Sequence, residues 1–133
     1  MIGRTLGCVV VVGWLMAGGS LQAHHSLAGV YDMKGEAEVS GTLTKIQFVN
    51  PHGSLTLAVK NPDGSITEWS IVGGSVTQIA RLGLGKTGPN ALHVGDEITV
   101  TTVPALDGKS PIGLLRAITY ADGHTVRFGS TEN

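Results

Sequence analysis

The segment Ala37-Glu-Val-Ser-Gly-Thr-Leu-Thr-Lys-Ile-Gln-Phe-Val49 decides the fold. It is long for a strand, and its apolar residues change parity halfway. Val39, Gly41 and Leu43 share one parity, and Ile46 and Phe48 share the other. Side chains alternate between the two faces of a strand, so an unbroken strand would bury one set and expose the other. A β-bulge near Thr44-Lys45 returns Val39, Leu43, Ile46 and Phe48 to one side and bends the strand sharply. A long, bent first strand is what a small barrel requires.

On its C-terminal side, Asn50-Pro-His-Gly53 reads as a turn. Leu55, Leu57 and Val59 then alternate with Thr56, Ala58 and Lys60, the pattern of a half-buried strand. Asn61-Pro-Asp-Gly64 is a turn with proline set for its second position and glycine for a left-handed one. A third strand spans Ile66 to Val72, with Trp69 and Ile71 on one face, and Trp69 is expected to fill core. The helical candidate lies between Gly74 and Gly83. Ser75 caps it, Val76, Ile79 and Ala80 form a stripe, and Gly83 terminates it. Strands Glu97 to Val103 and Ile112 to Tyr120 follow, joined around Asp107-Gly108, and Asp122-Gly123 turns into a last strand, Thr125 to Phe128. Three strands, a short helix, then two strands and a hairpin extension predict an all-β fold with one short helix. The architecture that fits is a small five-stranded Greek-key barrel of the OB type, over residues 37–129, with a small β-sandwich as the alternative.

On its N-terminal side, residues 24–36 read as an extended arm with Leu27, Val30 and Tyr31 as docking side chains. Residues 1–23 read as a secretory signal peptide. Arg4 supplies the positive start, Leu6 to Ala17 the apolar stretch, and Gly18 to Ala23 the small-residue end. The apolar stretch is shorter than the roughly 20 residues of a comfortable membrane span. Cleavage after Ala23 makes His24 the first mature residue and implies a periplasmic or secreted protein with no stable membrane span. Cleavage after Gly19 and retention as an anchor are the alternatives. The sole cysteine, Cys8, falls inside the apolar stretch, so the mature part has no disulfide and no thiolate nucleophile. Residues 130–133 read as a disordered tail.

Removing residues 1–23 takes away one base, Arg4, and no acid, which leaves eight bases against ten acids. An acidic balance gives no footprint for nucleic acid, and no such partner is expected. Gly85-Lys86-Thr87 suggests a phosphate loop, but Ala80 stands where the pattern needs glycine. Asp96 and Glu97 are adjacent in a strand and point to opposite faces, so they cannot act as a facing acid and base. No catalytic residue is assigned.

The histidines carry the sharpest chemistry. His24, His25, His52, His93 and His124 all lie after the signal. At a free N-terminus, the α-amine of His24, with a pKa of about 8, and its Nδ1 chelate one metal ion, and His25 or His52 adds an imidazole. A nitrogen donor set of that kind suits Cu(II). His52 also lies in the first inter-strand loop, which OB-folds use for ligands. Against this, His24 and His25 read equally as polar residues of a loose start, and His52 as a rigid turn residue. His93 and His124 read as solvated.

His24-His-Ser26, Tyr31-Asp32, Val49-Asn-Pro-His52, Trp69, Gly95-Asp96, Pro104 with Asp107-Gly108, and Asp122-Gly123 occur in this order in a family of small exported bacterial proteins. The chain resembles that family, a domain of unknown function. Phe48-Val49 departs from the tryptophan expected just before Asn-Pro-His. The resemblance implies export and a barrel-like fold, and no activity.

Three functional expectations follow. The first is an exported binding module whose metal ligands are His24, His25 and His52, with copper as the ion. The second is a metal-free module that binds an envelope protein, a peptide, a saccharide or another small ligand. The third is a copper oxidative enzyme built on a terminal histidine brace.

Overall fold

The computed structural model describes residues 27–129. The predicted signal peptide, His24, His25 and the tail after Gly129 lie outside the described residues. Six strands and one helix follow in order: β1 (Ala37–Gln47), β2 (Ser54–Lys60), β3 (Ile66–Val72), α1 (Val76–Arg81), β4 (Glu97–Pro104), β5 (Ile112–Tyr120) and β6 (Thr125–Arg127). The hydrogen-bonded order is β3-β2-β1-β4-β5-β6, and β3 also pairs with β5. That last pairing is parallel, matches Ser70 with Ile112 and Val72 with Leu114, and closes five strands into a barrel. The β-sandwich alternative fails on this pairing, because one closed sheet replaces two stacked ones.

The bulge in β1 is where its parity break requires it. Leu43 lies opposite Leu57 and Lys45 opposite Thr56, which leaves Thr44 as the extra residue. Thr44 and Lys45 are both exposed, and beyond them Ile46 and Phe48 turn to the core side already occupied by Val39 and Leu43. The Thr44 hydroxyl donates to the Thr56 carbonyl at 3.1 Å. The bend lets β1 serve two partners. Ala37 to Thr42 pair with β4, and Thr42 to Gln47 pair with β2. Gly41 lies at this handover, and an added Cβ there would sit 2.6 Å from the Ala58 carbonyl oxygen.

Each barrel strand contributes one hydrophobic residue that is 0% exposed: Leu43, Leu57, Ile71, Val100 and Ile118. Trp69, opposite Leu57, is partly buried and packs on this cluster as predicted. Helix α1 spans six residues and is capped by Ser75, whose Oγ accepts from the Gln78 amide at 3.2 Å. So short a helix depends on packing, which Ile79 alone supplies. Ala80, placed on the buried stripe by the sequence, is exposed. Gly83 takes φ +69°, as a left-handed terminator must.

The arm differs from its extended expectation. Leu27 and Ala28 form a helical turn, with the Val30 and Tyr31 amides both donating to the Leu27 carbonyl. Tyr31 is buried and bridges to Ala105, while Leu27 and Val30 remain exposed. The arm therefore docks through one aromatic ring and backbone bonds, Asp32 to Pro104 and Leu106 to Val30. Among the described residues no helix is long and apolar enough to cross a membrane.

Candidate functional site

Beyond Thr42 and Glu97, β1 and β4 no longer pair. The chain entering β4 stays beside β1 for one more step: the Gly95 amide donates to the Leu43 carbonyl at 2.7 Å, and the Leu43 amide to the Asp96 carbonyl at 2.8 Å. After that contact, β1 follows β2 and the two segments separate. The gap is a groove of about 450 Å³ lined by Ile46 and Phe48 from the end of β1, Leu92, His93 and Val94 from the segment before β4, and Lys86. The bulge creates the apolar wall, since it turns Ile46 and Phe48 inward at a level β4 does not cover. Leu92 is buried, and Val94 is 66% exposed.

The opposing wall is held rigidly despite its glycine-rich sequence. Leu84 and Leu92 are both buried and anchor its two ends. Between them, the Asn90 side chain donates to the Leu82 carbonyl at 2.7 Å, and Tyr120 donates its hydroxyl to the Asn90 carbonyl at 2.6 Å. Sequence reasoning placed Ile46 and Phe48 in the core only and did not find the groove. Its signals were an apolar run that outlasts its strand and the pair Leu92 and Val94 flanking His93.

His93 and His124 are both exposed, as predicted, and each lies beside a carboxylate. The His93 amide donates to Asp96 at 2.8 Å, and its Nδ1 stands 3.8 Å from the same carboxylate oxygen. His124 Nδ1 lies 2.6 Å from Asp122, and its ring stacks on Tyr120 with centroids 4.2 Å apart. Burial, reinforced by the negative charges of Asp96 and Asp122, pushes the Tyr120 phenol up to about 12. Asp122 is held below its ordinary value by hydrogen bonds from the His124 backbone and side chain. Asp96 faces His93 while Glu97 accepts from the Thr42 hydroxyl, so the two acids do diverge.

His52 is exposed on the turn between β1 and β2. The turn lies against the start of α1: the Gly53 amide donates to the Gly74 carbonyl, and a Cβ on Gly53 would meet the Ile79 side chain at 2.7 Å. The arm joins the start of β1, and His52 follows its end. Among the described residues no three His, Cys, Asp or Glu side chains gather as a metal site. His24 and His25 lie outside the described residues, so a shared ion with His52 rests on the sequence alone. Lys86 sits in a loop with no helix after it, in line with the rejected phosphate-loop reading.

Among solved structures, two crystal forms of the mitochondrial single-stranded DNA binding protein Rim1 from S. cerevisiae are similar to this chain. One is 13% identical with a TM-score of 0.48, covering 71% of this chain and 96% of that one. The other is 14% identical with a TM-score of 0.49, covering 73% and 98%. No curated protein matches the sequence. A family of unknown function (DUF6152) matches residues 13–114, most of the chain. A domain of unknown function with a barrel fold is what the motifs from Tyr31-Asp32 to Asp107-Gly108 imply, and the chain belongs to the DUF6152 family.

Proposed function

We propose that this protein is an exported binding module that holds a small, largely apolar ligand in the groove between the end of β1 and the Leu92–Val94 segment. One observation carries the reading: a cleft of about 450 Å³ lined by four apolar side chains and two of the basic type, Lys86 and His93. That volume falls within the range of small-molecule sites, and predominantly apolar walls with a few polar groups are their usual make-up. Each methylene removed from water against such walls contributes about 0.8 kcal/mol. The reading favours the metal-free expectation over the copper one, because four of the six side chains that line the groove are apolar. Export rests on the signal-like character of residues 1–23.

Titration of the purified protein with octan-1-ol, followed by amide chemical shifts, tests it. Saturable shifts at Ile46, Phe48, Leu92 and Val94 are expected. Val94→Asp places a charge in the apolar mouth at an exposed position and is expected to weaken binding at least about ten-fold without loss of fold. Shifts confined to other faces, or an unaffected Val94→Asp variant, would contradict the proposal.

A further inference from the structure

The charge distribution around the groove narrows the ligand class. This step rests on the groove being the binding site. Of the six lining residues, two are ionisable, Lys86 and His93, and both are of the basic type. That is notable on a chain whose acids outnumber its bases. Neither side chain is consumed by a strong internal pair. Lys86 is exposed, and no salt bridge engages it among the described residues. Asp96 accepts from the His93 backbone amide and stands 3.8 Å from its Nδ1. With Nδ1 turned toward Asp96, Nε2 is the ring atom left to meet a ligand, and it donates to an anion when the ring carries both protons.

We infer that the groove takes an anionic amphiphile: a medium-length aliphatic carboxylate. Its chain lies on Ile46, Phe48, Leu92 and Val94, and its carboxylate sits at the Lys86 ammonium and the His93 Nε2. The polar end is at the rim, where water and the lysine reach it, and the apolar end fills the seam between β1 and the Leu92–Val94 segment. A volume of about 450 Å³ equals roughly fifteen waters at ~30 Å³ each, which suits a chain of about eight to ten carbons in an open cleft.

The test compares octanoate, octan-1-ol and octylammonium, equal in chain and different in charge, at low ionic strength. Octanoate is expected to bind about three- to ten-fold tighter than octan-1-ol, with octylammonium the weakest, as suits a rim ion pair. Lys86→Gln, a surface change, is expected to bring the octanoate affinity to within about two-fold of the octan-1-ol affinity of the same variant. About 1 M salt does the same by screening. Equal affinities for octanoate and octan-1-ol, with shifts at Phe48 and Val94 for both, would overturn the anionic selectivity and leave the groove reading standing. No shift at these residues with any of the three would overturn both.

Discussion

Tyr120, near the end of the barrel's fifth strand, donates its hydroxyl to the carbonyl of Asn90 at 2.6 Å. Thirty positions separate them, and the bond joins β5 to the segment that forms one wall of the groove. The loop's own sequence, Gly85-Lys-Thr-Gly-Pro-Asn90, favours turns but does not fix a wall. The wall is fixed from outside, by a phenol on β5 and by two buried leucines.

Tyr120→Phe keeps the ring and removes the bond. A net loss of about 1 kcal/mol is expected, since the Asn90 carbonyl is left with one partner fewer. For a domain of this size that lowers Tm by roughly 4–8 °C. Amide exchange at Ala91 and Leu92 should accelerate more than exchange in β2, and native-state hydrogen exchange reads this directly. Equal acceleration everywhere would mean that the bond does not hold the wall.

The same tyrosine gives a pH dependence with a definite sign. Its folded pKa is raised to about 12, first by burial and then by Asp96 and Asp122, while an unfolded tyrosine titrates at about 10. The fold therefore prefers the neutral phenol. The stability linked to Tyr120 is complete below pH ~10 and is lost as pH rises toward 12. Tyr31, the other tyrosine of the chain, is shifted the same way by burial. Phenolate absorbance of the native protein should therefore stay low through the ordinary tyrosine range. Substituting Asp96→Asn should bring the Tyr120 titration down.

Deleting Thr44 tests the bend in β1. Without the extra residue, Ile46 and Phe48 face solvent or β1 must slip along β2, and either change strips the groove of one wall. Loss of cooperative unfolding and binding of a hydrophobic dye are expected. Thr44→Ala keeps the residue count and loses only the exposed bond to Thr56, so it should cost less than about 1 kcal/mol. Similar behaviour of the two variants would show that the bulge is incidental.

Most of the barrel was legible because its signals are local. The parity break between Leu43 and Ile46 located the bulge, and the glycines of Asn61-Pro-Asp-Gly64 and Gly83 located turns. What escaped depends on contacts distant in sequence. The predicted barrel requires a closing pair, but which residues of β3 and β5 meet leaves no local trace, nor does the Tyr120 bond to Asn90. The arm was read as extended because Leu27, Val30 and Tyr31 suggested three docking residues, and only Tyr31 docks. The groove was missed for a related reason: whether Phe48 is core or wall depends on where β4 leaves β1. The histidines drew attention by their chemistry, but among the described residues only His93 lines the groove.

Metal chelation separates the two binding readings. His52 is not among the described residues that line the groove. Added EDTA, or the combined substitution of His24, His25 and His52 by alanine, should leave octanoate affinity within about two-fold of the parent if binding needs no metal. Loss of binding in either case would tie the ligand to a metal ion.

Intermolecular nuclear Overhauser effects between bound octan-1-ol and the protein test the groove most directly. Contacts from the alkyl chain to the Phe48 ring and the Val94 methyls, together, are the predicted result. Alkyl contacts to the exposed arm residues Leu27 and Val30, with none to Phe48 or Val94, would contradict it.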